Sequence, residues 1–309
     1  MKAPFPYFGG KSKIADIVWQ ALGQPKSYIE PFAGSLAVLL ARNNYNPKSY
    51  IETINDKDGF ITNVWRSLQN NPDEVAKYCD YPVSHIELSA RKIKLIENES
   101  YLVDGLKDVD WYDVRLAGYY IWCSSCWIGS GLTKISQIPH LAGGGKGVHK
   151  ISQIPDCVDN EKDVQDLYNT NIYTWFRQLS ERLRYVRTFC GDWKRVGGGD
   201  WQDKRGDVGI FFDPPYGVND RDTKLYHHDS TDIAKEVFEW CKERGQKSTY
   251  KIVIAGYEEY EELINYGWTK EMWKAGGGYS NTGKNKNKNR YRETLYFSPY
   301  TYHKENKLF

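Results

Sequence analysis

No hydrophobic run in the 309-residue sequence is long enough to cross a membrane, and residues 1–6 lack the apolar core of a secretion signal. The six cysteines are few and scattered, without the regular spacing of a disulfide framework. These absences argue against a membrane protein and against a disulfide-stabilised secreted domain. We therefore expect a cytoplasmic protein with reduced thiols and no membrane partner.

Metal-ligand patterns and a strong charge bias are also missing. Cys123 and Cys126 form a CxxC pair, but a zinc site needs a second pair of ligands, and none has suitable spacing. We predict no metal site.

The net charge is only +2, so any contact with nucleic acid must come from local clusters of basic residues. With 40% hydrophobic residues, the chain has enough apolar side chains for one large or two modest domains.

The most informative feature that is present is the apolar run Val208–Phe212, followed by Asp213-Pro214-Pro215-Tyr216. Because the run is continuous rather than alternating, it predicts a buried parallel strand, and the two prolines end it by removing backbone donors. The Asp213 carboxylate then lies at the carboxyl end of a strand, where open α/β sheets bind their ligands. The stiff turn holds the Tyr216 ring beside the carboxylate. This arrangement suits a flat ring that bears an amino group.

Two amino-terminal turns predict further ligand contacts. Gly9-Gly10 precedes an amphipathic pattern, so its amides can face a ligand, while Lys11 at the helix start can meet a carboxylate. Residues 27–38 indicate a strand, a small-residue turn and a helix start, which is typical of the first βα turn of a doubly wound sheet. The full GxGxxG pattern of dinucleotide-binding proteins is absent, so a Rossmann dehydrogenase is poorly supported.

Acidic residues follow two more predicted strands. Asp56 ends the strand that begins at Ser49, and an acid at the end of the second strand can accept hydrogen bonds from a ribose diol. Asp192 and Trp193 follow the strand that begins at Val186. We predict that this acid and this ring hold the adenine of a cofactor by its amino group and its face.

Between about residues 70 and 171 the alternation of strands and helices is hard to trace, and we interpret this stretch as an insertion. The sequence Lys-Ile-Ser-Gln-Ile-Pro at 134–139 recurs at 150–155, with a glycine-rich stretch between the copies. Two polar arms around such a stretch suit a DNA groove, and a flexible surface loop is the open alternative. The basic segment 284–292 can likewise straddle phosphates or form a solvated loop. The candidate nucleic-acid contacts are Lys134, Gln137, Lys146, His149, Lys150, Gln153, Lys284 and Arg290.

In their order along the chain, these motifs resemble those of the Dam-like, alpha-group DNA adenine-N6 methyltransferases. One glycine of the family's Gly-x-Gly is replaced here by Leu36 or Ala37, depending on the alignment. The family's Asp-x-Asn run is similar to the residues that follow Asp56. The motifs that carry the resemblance are Phe8-Gly9-Gly10-Lys11, Glu30-Pro31-Phe32-Ala33-Gly34, Asp56 with Asp58, and Asp213-Pro214-Pro215-Tyr216.

The resemblance implies a fold and a set of site residues. The fold is α/β, a doubly wound Rossmann-like sheet of S-adenosylmethionine-dependent methyltransferases. Its catalytic domain takes residues 1–69 and 172–309, and an inserted target-recognition domain takes residues 70–171. The catalytic residues around the target base are Asp213, Pro214 and Tyr216. The cofactor-binding candidates are Tyr7, Gly9, Lys11, Glu30, Phe32, Gly34, Asp56, Asp192, Trp193 and Asp213.

The implied activity is transfer of a methyl group from S-adenosylmethionine to the N6 amine of an adenine flipped out of double-stranded DNA. Such an enzyme takes part in restriction-modification, in phage DNA modification or in host DNA modification. It acts in the cytoplasm of a bacterial cell or of a phage-infected host. Methylation of cytosine N4 and a catalytically silent DNA-binding relative are the alternatives. Methylation of protein glutamine normally requires Asn at the position of Asp213, which argues against it. The target sequence and the oligomeric state stay open, and a monomer is compatible with the sequence.

Overall fold

The structure is a computed structural model that describes residues 1–7, 10–108, 110–127, 132–133, 141, 147–150, 172–197, 204, 206–215, 227–273 and 293–303. Seven strands in this part of the chain form one sheet in the order β3-β2-β1-β4-β5-β7-β6. The strands are β1 (Ser27–Glu30), β2 (Ile51–Asp56), β3 (Arg187–Cys190), β4 (Val208–Phe212), β5 (Tyr250–Gly256), β6 (Thr269–Met272) and β7 (Thr294–Phe297).

The strand order and directions confirm the predicted doubly wound sheet. Strands β2, β1, β4 and β5 run parallel, with Ile29 beside both Thr53 of β2 and Ile210 of β4. Strand β7 is antiparallel to both β5 and β6. The carboxyl ends of the parallel strands therefore meet at one edge of the sheet, where ligands bind in folds of this type.

Four of the described helices begin at a side-chain N-cap. Asp58, Asn71, Ser84 and Asp113 each accept a hydrogen bond from a backbone amide in the first turn that follows, as side-chain N-caps do. The helices are α1 (Ala15–Leu22), α2 (Ala37–Leu40), α3 (Gly59–Asn70), α4 (Pro72–Cys79), α5 (His85–Glu97), α6 (Glu99–Gly105), α7 (Val114–Cys126), α8 (Ile172–Leu183), α9 (Lys194–Gly197) and α10 (His227–Arg244), with 3-10 helices at Gly147–Lys150 and Glu258–Tyr266. No described helix has the length and apolar composition needed to cross a membrane.

The chain divides into two compact units that interleave along the sequence. Unit 1 comprises Met1–Gly10, Gly34–Leu40 and Asp56–Asp192. Unit 2 comprises Lys11–Ala33, Ala41–Asn55 and Trp193–Phe309. Asp56 therefore belongs to unit 1 and Asp213 to unit 2, and the motifs that end at Lys11 and Gly34 have residues in both units.

Unit 1 contains the described part of the predicted insertion. Helix α7 packs against α3, α4 and α5, and α3 and α4 also contact α8. The Asn63 side chain of α3 exchanges two hydrogen bonds of 2.9 Å with the backbone of Asp113, which caps α7. Gln69 donates to the carbonyl oxygens of Leu183 and Val186 at 2.8 and 2.9 Å. Residues 70–127 thus form a helical layer that is built directly on α3.

Unit 2 has an apolar core between α10 and the strands β4 and β5. All five residues of β4 are buried, as its continuous apolar sequence predicts. Phe212 and Trp240 pack edge to face, with ring centroids 5.4 Å apart. Burial of this aromatic surface fixes the position at which β4 ends, and Asp213 follows directly.

Candidate active site

The Asp56 carboxylate in unit 1 is oriented by backbone amides. Its Oδ2 accepts a hydrogen bond from the Gly34 amide at 2.8 Å, and its Oδ1 accepts one from the Asp58 amide at 2.9 Å. Burial raises the pKa of Asp56 above its ordinary value, although these amides and that of Lys57 oppose the change. A carboxylate has about four acceptor positions, so Asp56 retains capacity for a hydroxyl donor of a ligand.

Gly34 lies where two side chains approach the backbone of the turn after β1. Its φ of +48° is in the left-handed region, and an added Cβ would lie 2.9 Å from a ring carbon of Tyr7. Trp65 Nε1 donates to the Gly34 carbonyl oxygen at 3.0 Å. Glycine is therefore required at this position for both its backbone conformation and the close contact with Tyr7. The Tyr7 ring itself stays 40% exposed.

Leu36 also has a left-handed backbone, with a φ of +55°. A non-glycine residue rarely adopts this conformation, which costs about 1–2 kcal/mol. The Leu36 side chain is fully buried, so apolar burial offsets this cost. Of the two residues that the sequence left open, Leu36 rather than Ala37 has the backbone conformation that a glycine would favour.

Asp58 and Tyr120 extend the set of polar groups around Asp56. Asp58 Oδ1 accepts from the Phe60 amide at 2.8 Å, and burial, together with the charge of Asp56, raises the pKa of Asp58 to about 7. Burial raises the pKa of Tyr120 well above its ordinary value, and the charges of Asp58, Tyr7 and Asp56 add to this effect. We call Tyr7, Gly34, Asp56, Asp58 and Tyr120 the Asp56 group.

We expect Asp58→Asn to change how stability depends on pH. The folded chain keeps a proton on Asp58 up to about pH 7, whereas the unfolded chain releases it near the ordinary pKa of 3.8. The folded state thus binds more protons within this window, and the free energy of unfolding falls as pH rises through it. Asparagine can still accept from the Phe60 amide but carries no charge, so this part of the fall should disappear.

Urea unfolding between pH 5 and pH 8 measures the effect. The advantage of Asp58→Asn over the wild type should grow as pH rises toward about 7 and then level off. Asp113→Asn is the matched change at another helix N-cap, because Asp113 Oδ1 accepts from the Leu116 amide at 2.8 Å. A constant difference between Asp58→Asn and the wild type would contradict the raised pKa of Asp58.

In unit 2 the central contact is an ion pair at the end of β4. Lys11 Nζ lies 2.9 Å from Asp213 Oδ1, with the Lys11 side chain only 3% exposed and that of Asp213 21% exposed. Lys11 was expected to meet a carboxylate, and in the structure it meets that of Asp213. Burial of the ammonium holds the Asp213 side chain in one orientation. Pro214, which follows, is buried.

Three other predicted residues of unit 2 make packing contacts. Glu30 is buried, and its Oε1 accepts a hydrogen bond of 2.5 Å from the Tyr28 hydroxyl. Phe32 packs against Trp193 and Phe212 at 6.4 and 6.3 Å. The Trp193 ring is 3% exposed and belongs to the apolar core, so its part in holding an adenine stays a prediction.

The turn that carries Phe32 is fixed by Asn55. The Asn55 side-chain amide donates to the Pro31 carbonyl oxygen at 3.0 Å, and the backbone carbonyl oxygen of Asn55 accepts from the Ala33 amide at 2.9 Å. In unit 1, Asp192 is exposed after β3, and the Gly191 amide donates to the Asp56 carbonyl oxygen at 3.0 Å. These hydrogen bonds fix the backbone of the turn after β1 and of the residue that precedes Asp192.

Several predicted residues cannot be placed. For His149 and Lys150 the structure describes the backbone alone, in the 3-10 helix Gly147–Lys150. The predicted residues outside the described part of the chain are Gly9, Tyr216, Lys134, Gln137, Lys146, Gln153, Lys284 and Arg290.

Tyr120 and Glu293 are site candidates that were not predicted from the sequence. Tyr120 is on α7, inside the stretch interpreted as an insertion, and the effect of the Asp56 and Asp58 charges on its pKa depends on how α7 packs on α3. Glu293 precedes β7, and its pKa responds to the charges of Lys11 and Asp213. Neither residue belongs to a sequence motif. For Glu293, its position directly before an apolar strand was the one signal that could have indicated it.

Fold and site geometry together define the class of the protein. A doubly wound sheet with an antiparallel β7 between β5 and β6, and acids after β2 and β4, is the architecture of a Rossmann-like methyltransferase. The sequence model of the family described as D12 class N6 adenine-specific DNA methyltransferase matches residues 7–124.

The match confirms the predicted resemblance: over residues 7–124 the chain is similar to the N6 adenine-specific DNA methyltransferases of the D12 class, which supports methylation of adenine N6 in DNA. The matched residues contain the motif at Lys11, the turn after β1, and Asp56, and they extend through most of α7. Adenine N6 is thus favoured over cytosine N4 and over a silent DNA-binding relative. No curated protein matches the chain in a sequence search.

Proposed function

We propose that the methyl donor is S-adenosylmethionine and that the Asp56 group binds its nucleoside part. Asp56 offers acceptor capacity for ribose hydroxyls, and the Gly34 turn removes the side chain that would block close approach to the backbone. The exposed face of Tyr7 beside this turn suits contact with the donor. These donor and acceptor types fit a nucleoside, and the cofactor supplies an electrophilic sulfonium methyl group when bound.

We infer that Asp213 and Pro214 accept the two hydrogens of the adenine amine. The amine is a weak nucleophile, because its lone pair is delocalised into the ring, and it must leave the base stack to be reached. Hydrogen bonds to the Asp213 carboxylate and the Pro214 carbonyl oxygen favour a more nucleophilic nitrogen. Tyr216 is proposed to stack on the extruded base, as an aromatic side chain can.

Charge and proton balance define what the site must do. The amine lone pair forms the N–C bond as the C–S bond breaks toward sulfur, so positive charge passes to nitrogen, and one N–H proton leaves to water afterwards. A carboxylate next to this nitrogen stabilises the developing charge without acting as a full base. The observation that carries the proposal is the buried Lys11–Asp213 pair, which fixes the carboxylate before any substrate binds.

We propose that residues 70–171 form the target-recognition region of the enzyme on double-stranded DNA. In this proposal the lysines of the repeat and of segment 284–292 contact phosphates, and Gln137 and Gln153 contact base edges. The repeat is the support for this assignment, because two identical polar arms flank a basic, glycine-rich stretch.

A single assay tests the activity and the donor. The protein is incubated with methyl-tritiated S-adenosylmethionine and unmethylated plasmid DNA, and the digested nucleosides are separated by mass spectrometry. We expect label in N6-methyl-2′-deoxyadenosine. Label in N4-methylcytosine, or none in a folded preparation, would contradict the proposed function. Single-stranded DNA of the same sequence shows whether a duplex is required.

We expect Asp56→Ala to weaken binding of S-adenosylmethionine by roughly 10-fold to 100-fold, since hydrogen bonds to charged groups contribute about 1.5–3 kcal/mol each. The change removes the ribose acceptor and the two acceptors that hold the Gly34 and Asp58 amides. Titration calorimetry measures the affinity. Asp56→Asn keeps one acceptor oxygen and should lose less of the affinity for S-adenosylmethionine than Asp56→Ala. If Asp56→Ala binds S-adenosylmethionine as tightly as the wild type, Asp56 is not part of the cofactor site.

A further inference from the structure

Glu293 is a carboxylate outside the predicted site that the sheet brings to the same edge as Asp213. Phe212 of β4 lies beside Ile254 of β5, so Asp213 continues beside Ala255. On the other side of β5, Ala255 pairs with Leu295 and Gly256 with Thr294, so Glu293 lies beside Tyr257. Both acids thus flank the carboxyl end of β5, about two strand spacings apart, or roughly 10 Å.

The same registers place both side chains on one face of the sheet. Paired residues on neighbouring strands share a face, and alternate residues along a strand return to it. Asp213 shares its face with Ala255, and Ala255 shares it with Tyr257 and hence with Glu293. Lys11, which is paired with Asp213, therefore has a second carboxylate on its side of β5.

The environment of the Glu293 carboxylate supports this placement. Its Oε2 is buried and has no hydrogen-bond partner among the described residues. Burial raises the pKa of Glu293, Lys11 lowers it and Asp213 raises it, so the three charges act on one another. Tyr260 also responds to the charge of Asp213. Its pKa is raised well above the ordinary value, mainly by burial and next by the charge of Glu259. Tyr260 is therefore neutral during catalysis.

The charge balance of this cluster shows what Glu293 adds. A Lys11–Asp213 pair alone is neutral overall, and a neutral pair is a poor stabiliser of positive charge that develops on a nearby amine. A second, ionised carboxylate gives the three residues one net negative charge. The methyl-acceptor site then favours the cationic transition state over the neutral ground state.

We propose that Glu293 is a positioning residue of the methyl-transfer reaction. It shares the Lys11 ammonium with Asp213 and keeps the net charge of the acceptor site negative. The proposal rests on the role of Asp213 in the proposed function. Lys11 orients Asp213 and Glu293 offsets the charge of Lys11. The three residues, Lys11, Asp213 and Glu293, form what we call the acceptor triad.

The test is Glu293→Gln, assayed with methyl-tritiated S-adenosylmethionine and unmethylated plasmid DNA, both saturating. We expect kcat to fall about tenfold or more, as for loss of other preorganised electrostatic contacts, with KM for both substrates unchanged. Glu293→Asp keeps the charge and should retain most of kcat. Glu262→Gln removes one negative charge from an exposed position of the same unit and should leave kcat at the wild-type value.

The pH profile separates this role from a structural one. Wild-type kcat should decrease on acidification while Glu293 takes up its proton, above the ordinary Glu pKa of 4.5, and Glu293→Gln should lack this step. A Glu293→Gln enzyme with wild-type kcat and pH profile overturns the proposal. If that variant does not fold, a wild-type kcat that stays constant down to pH 4.5 overturns it instead.

Failure of this proposal differs from failure of the proposed function. If the wild type transfers no methyl group to adenine, the function itself is wrong. If the wild type is active, Asp213→Asn is impaired and Glu293→Gln behaves as wild type, only the role of Glu293 is wrong.

Discussion

Asp213→Asn is expected to lower kcat for adenine methylation by about 100-fold to 1000-fold, the range found when one preorganised electrostatic contact is removed from a transition state. The asparagine oxygen can still accept from the amine and from Lys11, which is 2.9 Å from the native carboxylate. It carries no charge, however, so it cannot offset the positive charge that develops on nitrogen. Dissociation constants for DNA and for S-adenosylmethionine should stay close to those of the wild type.

Single-turnover rates and separate binding titrations distinguish these effects. Asp207→Asn is the matched control, because Asp207 also pairs with a lysine, Lys251, at 2.6 Å, and precedes the amino end of β4. This variant should keep its turnover. Once the methylated position is known, 2-aminopurine at that position should report undiminished base flipping in Asp213→Asn. Full turnover in a pure Asp213→Asn preparation would refute the assignment of Asp213 to catalysis.

Arg42→Met is expected to lower the free energy of unfolding by about 3–5 kcal/mol, because it leaves a buried carboxylate without its counter-ion. Arg42 Nη1 lies 3.2 Å from Glu52 Oε1, and both side chains are fully buried. The guanidinium also donates to the Pro25 carbonyl oxygen at 2.7 Å and stacks on Tyr50 at 4.1 Å. The pair therefore connects β2 to the segment before β1.

Urea unfolding at neutral pH measures this loss. Arg177→Met removes an arginine from a pair with Asp73 in which both side chains are at least half exposed, so it should cost much less. The double variant Arg42→Met with Glu52→Leu removes both buried charges and should be more stable than Arg42→Met alone. Equal losses for Arg42→Met and Arg177→Met would show that burial of the Arg42–Glu52 pair contributes nothing.

Local sequence patterns predicted most of the sheet. The run Val208–Phe212 identified β4, because a strand buried on both faces has no polar residue to interrupt it. Strand β6 was missed, since Thr269-Lys270-Glu271-Met272 alternates between half-buried and exposed positions and has two charged residues. An edge strand of this kind is stabilised by pairing with β7, which is a tertiary contact without a local signal.

The same distinction applies to the site. The places of Asp56 and Asp213 in the fold were predictable, because Asp56 ends a recognisable strand and Asp213 follows another, while their roles stay predictions. The Lys11–Asp213 pair joins residues about two hundred positions apart, and the electrostatic effect of Asp56 and Asp58 on Tyr120 depends on helix packing. Such contacts depend on the register of the sheet and the direction of a helix, which spacing along the chain does not specify.

Leu36 has a consequence for the thermodynamics of cofactor binding. A glycine in its place would sample many conformations in the free enzyme, and ligand binding would have to restrict them. Leu36 instead keeps its left-handed backbone through a side chain anchored in the core. At the proposed cofactor site, the loop next to Gly34 is therefore ordered in the free enzyme, so little conformational entropy would be lost when the donor binds.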